Sequence, residues 1–247
     1  MTHRQEYRGS GSAAIRGQTV LKVLGIWMLA SVLGCEAARL IIAQAAPAWR
    51  ATSIPSLIYV DVVYAALPFI LWAALGGRQR IRRGLDFRFT SMEDLGRSLG
   101  VWVLIVAAAV FLYWGASFFT VPVSTLGLTI LEKGTDMARM RSATPLGWVL
   151  IGVRVFFLAG FTEELLFRGL LFGWIACRWS PPIAVVATAL LFGAEHAYPV
   201  LIPIGVIYGL GTGWVRWRTG STFNTWVMHV LTDGAMFWAA FWVAMGH

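Results

Sequence analysis

The sequence predicts an all-α membrane protein, a polytopic bundle of about seven to eight transmembrane helices. Of its 247 residues, 58% are hydrophobic and only 13% are charged, and the mean hydropathy is +0.69. Soluble domains carry about 25% charged residues, so this composition is typical of polytopic membrane proteins. Apolar runs of about 20 residues, long enough to cross a bilayer, follow one another along most of the chain.

The N-terminal part is predicted to begin with a disordered tail, residues 1–19, which is polar and rich in Gly, Ser and Arg. The first group of transmembrane helices then occupies residues 20–121. A polar loop, residues 122–145, separates this group from the next one. The apolar runs of the first group lie at 20–45, 54–75 and 95–121.

The second group of apolar runs occupies residues 146–245 and contains the polar groups that indicate a function. Its first run, 146–177, would be about 48 Å long as one helix. It is therefore either one long tilted helix or two pieces broken near Gly160. Glycines further along allow close packing between helices. The later apolar runs lie at 181–198, at the continuation of that run as far as Trp217, and at 222–244.

Basic residues in the connections predict the orientation of the chain. A dense basic cluster follows the second apolar run, and Arg216 and Arg218 follow a later one. Because basic residues concentrate on the cytoplasmic side, these connections and the N-terminus are predicted to be cytoplasmic, in an inner or plasma membrane. The net charge of +8 would indicate nucleic-acid binding in a soluble protein, but in a membrane protein the positions of the charges matter more. The predicted partner is the lipid bilayer, and no nucleic-acid partner is predicted. The basic cluster is Arg78, Arg80, Arg82, Arg83 and Arg88.

Two adjacent carboxylates and a guanidinium lie inside the run 146–177, at Glu163, Glu164 and Arg168. Each charge is costly in lipid unless it is paired or faces a wet cavity. Glu164 and Arg168 are four residues apart, so they share a helix face and can pair. Glu163 lies about 100° around the helix from Glu164, without such a local partner, and is predicted to be a general base. The alternative is a structural ion pair with one acid that faces water.

Further ionisable groups occur in two later runs. Glu195 and His196 are adjacent in one, and His229 and Asp233 are four apart on one face of another. A carboxylate and an imidazole can polarise water, and a second imidazole can stabilise an oxyanion. Glu163, His196 and His229 are therefore predicted to line one hydrolytic site. The same three side chains could instead bind zinc, although the chain has no His-Glu-x-x-His pattern.

The order of these groups resembles the CPBP intramembrane proteases, which include the CAAX prenyl endopeptidases and the Abi-type bacteriocin-immunity proteins. The three motifs of that family are Glu-Glu-x-x-x-Arg, Phe-x-x-x-His, and His-x-x-x-Asn or a close variant. The resemblance covers about residues 146–240. The corresponding residues here are Glu163, Glu164 and Arg168, then Phe192 and His196, then His229 and Asp233.

The resemblance implies an endopeptidase, without a cofactor, that cleaves a membrane-anchored or lipid-proximal peptide. It implies that Glu163 and His196 activate water and that His229 and Asp233 hold the oxyanion. Many family members have Asn where this chain has Asp233. An ionised Asp cannot donate a hydrogen bond, so Asp233 must be protonated, orient His229, or help to bind a metal.

A non-catalytic membrane scaffold is the alternative function. A transporter-like or bacteriocin-immunity protein would use the same buried polar groups to bind an ion or a peptide. The two functions differ in geometry, because catalysis requires Glu163, His196 and His229 to come together, whereas a scaffold could leave them apart.

Overall fold

The computed structural model describes residues 17–29, 54–75, 85–117, 144–196 and 201–244. These residues form helices with no strand among them, which confirms the predicted all-α class. The helices in chain order are α1 (Gly17–Leu29), α2 (Ile54–Leu75), α3 (Met92–Ser117), α4 (Pro145–Arg178), α5 (Pro181–Glu195), α6 (Ile202–Thr219) and α7 (Thr222–Ala244).

Several predicted segments lie wholly or partly outside the described residues. They include the tail up to residue 16, the basic cluster up to Arg83 and the polar loop up to residue 143. Residues 17–19 were predicted to end the tail, but they form the first turn of α1. This turn leads directly into the apolar run from Val20, so the helix begins slightly before the apolar residues do.

Among the described residues, two helices are long and apolar enough to cross a membrane, judged by length and composition. They are Met92–Leu112 within α3 and the whole of α4. α3 exposes a set of apolar side chains that includes Val103, Leu104 and Phe111. Exposing such an apolar surface to water is unfavourable, whereas the acyl chains of a bilayer solvate it well. The count of seven to eight spans stays a prediction.

α4 is one continuous helix of 34 residues that passes through Gly160 without a break. Its first turn is built by a standard N-terminal cap: the Thr144 hydroxyl accepts a hydrogen bond from the backbone N–H of Gly147 at 3.2 Å. Pro145 follows the cap, where its missing N–H costs nothing. The predicted polar loop therefore ends at Thr144, one residue earlier than expected.

Two stretches of α4 are π-helical, Arg154–Ala159 and Leu165–Leu171. They flank the α-helical turn Gly160–Glu164, which carries the two glutamates. π-Helical turns inside an α-helix are rare and frequently occur at functional sites. The wider turns alter the direction in which the side chains of this part of α4 project.

α5 and α6 pack against each other at the close distance that glycine allows. A Cβ atom added to Gly209 would lie 2.6 Å from the Cα of Ala189, and one added to Gly193 would lie 2.5 Å from Val206. Both distances are too short for any larger residue. The close packing predicted from the small residues of this region is thus observed at these positions.

The non-helical segment before α3 docks on the connection between α6 and α7. The carbonyl of Leu85 accepts a hydrogen bond from the Thr222 hydroxyl, and that of Arg88 accepts one from the Ser221 hydroxyl, both at 2.6 Å. Gly220 ends α6 in the left-handed conformation, with φ of 65°, as is common after a helix C-terminus. This docking ties the start of α3 to the start of α7.

Candidate active site

Most of the predicted site residues meet where α4 crosses α7. The Glu164 carboxylate lies 3.0 Å from the Arg168 guanidinium, and both side chains are fully buried. The same carboxylate oxygen accepts a hydrogen bond from Nδ1 of His229 at 2.9 Å. Because a carboxylate only accepts, Nδ1 of His229 carries a proton in this arrangement. Glu164 therefore orients the imidazole as well as the guanidinium.

Glu163 lies beside the other nitrogen of the same imidazole. Its Oε2 is 3.6 Å from Nε2 of His229, and its Oε1 accepts a hydrogen bond from the Tyr64 hydroxyl of α2 at 3.1 Å. The Glu163 side chain is 13% exposed, whereas that of Glu164 is 0% exposed. Of the two adjacent glutamates, Glu163 is the one with an accessible side chain.

Asp233 lies one turn after His229 on α7 and faces the same nitrogen as Glu163. Its Oδ2 is 3.5 Å from Nε2 of His229, and its side chain is partly exposed. The imidazole is thus surrounded by Glu164 on the Nδ1 side and by Glu163 and Asp233 on the Nε2 side. This position suits Asp233 to orient His229, which is one of the three roles that the sequence allowed.

Arg168 connects the site to α5 and α6. Its Nη2 donates a hydrogen bond to the Thr212 hydroxyl at 2.6 Å, and its guanidinium lies 4.4 Å from the centroid of the Phe192 ring. The backbone carbonyl of Arg168 accepts a hydrogen bond from Nε of Arg216 at 3.0 Å. The hydrogen bond from Nη2 and the carboxylate of Glu164 offset part of the cost of burying the Arg168 guanidinium. The sequence did not indicate the contribution of Arg216.

His196 lies near the end of α5, next to the Phe192 ring. Its Nδ1 is 2.9 Å from the Phe192 carbonyl, which only accepts, so Nδ1 carries the proton and Nε2 of the neutral ring is an acceptor. The Phe192 ring is 5.0 Å from the His196 ring and 5.9 Å from the His229 ring, between centroids. The two histidines therefore contact one shared phenylalanine.

Two further residues belong to this neighbourhood. Tyr64 was not singled out from the sequence, because a tyrosine in an apolar run is common and nothing local linked it to Glu163. Glu195 was noticed but given no role. One of its carboxylate oxygens is buried without a hydrogen-bond partner among the described residues, and its charge interacts with those of Glu163 and Arg168.

The zinc alternative requires Glu163, His196 and His229 to meet at one point. Across the described ranges, no three His, Cys, Asp or Glu side chains are placed so as to hold one metal ion. Glu163 and His229 are adjacent, and the rings of His196 and His229 both contact the Phe192 ring. Zinc binding by these three side chains stays an alternative prediction.

The family comparison agrees with the motifs. Residues 145–235 match the model of a family described as Rce1-like, type II CAAX prenyl endopeptidase. This segment begins with α4, extends into α7 and contains all six predicted site residues. The match confirms the resemblance to the CPBP family and points to a membrane CAAX protease. No curated protein and no solved structure matches the chain.

Proposed function

We propose that this protein, a membrane protein with an Rce1-like type II CAAX prenyl endopeptidase domain at residues 145–235, is an integral-membrane endopeptidase. It hydrolyses a peptide bond in a membrane-associated protein or peptide. The observation that carries the proposal is the placement of a partly accessible carboxylate, Glu163, beside the buried imidazole of His229 within apolar helices. Ionisable groups at such positions are costly and are retained mainly for function.

Glu163 acts as the general base in this mechanism. It takes a proton from water while the water oxygen attacks the carbonyl carbon of the substrate. Nε2 of His196 is an acceptor, because Nδ1 donates to the Phe192 carbonyl, and it provides a second hydrogen bond for the same water. The limited exposure of Glu163 supports this role, since water must reach the base but bulk solvent need not.

His229 stabilises the oxyanion of the tetrahedral intermediate. Its ring is held through Nδ1 by Glu164, and in its protonated form it donates a hydrogen bond from Nε2 to the oxyanion. When the carbon–nitrogen bond breaks, Glu163 returns its proton to the leaving amine. Asp233 contributes by orienting His229 rather than by donating to the oxyanion.

Glu163→Gln tests this mechanism, because it keeps the size of the side chain and removes the base. The probe is an internally quenched peptide that ends in a CAAX sequence, used in farnesylated and in unmodified form. The full-length protein is assayed in lipid nanodiscs. Cleavage by the variant should be about 100-fold slower or more, with an unchanged melting temperature.

Glu93→Gln is the matched control, because it makes the same change at an exposed position of α3. It should cleave at the wild-type rate. Cleavage at the wild-type rate by folded Glu163→Gln, or no cleavage of either peptide by the wild type, would contradict the proposed function and favour the scaffold alternative.

A further inference from the structure

One side chain from outside the family-matched segment reaches the site. The Tyr64 hydroxyl of α2 donates a hydrogen bond to Oε1 of Glu163 at 3.1 Å. A second bond runs in the opposite direction, from the Thr162 hydroxyl to the backbone carbonyl of Tyr64 at 2.8 Å. Thr162 is fully buried and immediately precedes Glu163. The two bonds fix α2 to the turn of α4 that carries the proposed base.

The ring of Tyr64 is held as well as its backbone. The Trp27 ring of α1 packs edge-on against it, with centroids 6.3 Å apart and an interplanar angle of 86°. Trp27 is itself buried in the main apolar core. Tyr64 is therefore restrained at its carbonyl, at its ring and at its hydroxyl, so its hydroxyl is a donor with a fixed position.

A fixed donor restricts the carboxylate that it binds. The terminal torsion of a glutamate side chain is broad, so an unrestrained carboxylate samples many orientations. The bond to Oε1 leaves Oε2 directed towards Nε2 of His229, 3.6 Å away. That oxygen is the one that faces the proposed oxyanion-stabilising group. Accurate placement of a reacting group contributes strongly to the rate of a chemical step.

We propose that Tyr64 is a positioning residue of the proteolytic site, supplied by α2, which holds the Glu163 carboxylate in its reactive orientation. The inference rests on the proposed function and extends it beyond residues 145–235, since no group of that segment replaces this donor in the described structure. Tyr64 contacts the proposed base, and its proposed role is to orient that base rather than to bind substrate. Its removal therefore lowers kcat and leaves KM unchanged.

Tyr64→Phe in the full-length protein in nanodiscs tests the inference, with the farnesylated quenched peptide as the probe. The variant keeps the ring that packs on Trp27 and removes only the donor. Because hydrogen bonds to charged groups are among the stronger ones, kcat should fall about 10-fold with KM unchanged. Phe111→Leu changes an aromatic side chain at an exposed position of α3 and should leave both constants within about two-fold of the wild type.

A double-mutant cycle separates positioning from a general structural role. If Tyr64 acts through Glu163, the variant with both Tyr64→Phe and Glu163→Gln should be as slow as Glu163→Gln alone. If the two residues act independently, it should be about 10-fold slower again. That additive result, or a wild-type kcat in Tyr64→Phe, would overturn the inference and leave the proposed function standing. A wild-type rate in Glu163→Gln would instead overturn the proposed function.

Incorporation of 4-fluorophenylalanine at position 64 keeps the inference testable if Tyr64→Phe folds poorly. The fluorine occupies the space of the hydroxyl but cannot donate a hydrogen bond to Glu163. Because the positioning donor is lost, kcat should fall about 10-fold with KM unchanged. A kcat within about two-fold of the wild type would contradict the role of Tyr64.

Discussion

At the scale of single residues, the site depends on a glycine that belongs to none of the three motifs. A Cβ atom on Gly160 would lie 3.2 Å from Cγ of His229 and 3.3 Å from its Cβ. Contacts this short force the imidazole or α4 to move by a few tenths of an ångström. The missing side chain of Gly160 thus lets α7 bring His229 close to α4. This close approach explains why a glycine occupies this position of the helix.

Gly160→Ala should therefore impair catalysis more than stability. The added methyl group displaces His229 from Glu163 and Glu164, and kcat should fall about 10-fold because the reacting groups are misplaced. The melting temperature should change little, since alanine also favours the helix by up to about 1 kcal/mol. Gly152→Ala on the same helix is the control, because nothing lies within 4 Å of its added Cβ. Equal rates in both variants would disprove this role of Gly160.

The contacts of single residues also show what the sequence could predict. The pair of Glu164 and Arg168 was predictable, because residues four apart on a helix are always neighbours. The contact between Glu163 and Tyr64 joins residues that are 99 positions apart. It depends on how α2 docks on α4, which a single sequence does not encode in any local pattern. The same reason hid the contact between Arg216 and Arg168.

At the scale of the elements, the segment before α3 is tied to the site through a chain of charged and polar contacts. Asp86 pairs with Arg216, whose guanidinium is fully buried. Arg216 in turn donates to the carbonyl of Arg168, within the π-helical stretch of α4.

The continuity of α4 belongs to this scale too. From the sequence, Gly160 is compatible with either a break in α4 or a continuous helix. The choice between the two depends on how α7 packs against α4, which the sequence of α4 does not encode.

Asp86→Asn should destabilise this arrangement. The change removes the carboxylate charge from beside a buried guanidinium, and the loss of one partner of such a pair costs about 3 kcal/mol when both are buried, less here because Asp86 is partly exposed. Thermal unfolding in detergent should show a melting temperature lower by several degrees. Arg97→Gln breaks the exposed pair with Glu93, worth only about 0–1 kcal/mol, and is the control. Equal melting temperatures for the two variants would contradict the structural role of Asp86.

At the scale of the whole molecule, the two ends of the helix bundle are defined by α7. At its start, the segment with Phe89 docks on the connection from α6, where Arg216 and Arg218 also lie. α7 then runs for 23 residues, about 34 Å, to the opposite end. There the Phe241 ring packs on that of Trp148, with centroids 5.0 Å apart, near the start of α4. The basic residues near Phe89 and those that end α6 are therefore on one side of the molecule.

The bias of basic residues predicts that this side is cytoplasmic. The test uses a protein in which Cys35 and Cys177 are replaced and one new cysteine is added at a time. Phe89→Cys and Leu146→Cys are suitable, because both side chains are exposed and lie at opposite ends of the bundle. Neither substitution removes a basic residue. A membrane-impermeant maleimide should label Leu146→Cys in intact cells, whereas it should label Phe89→Cys only after lysis. Both variants should react after solubilisation, which controls for accessibility. The reverse pattern would show that the basic side faces outwards and would overturn the predicted orientation.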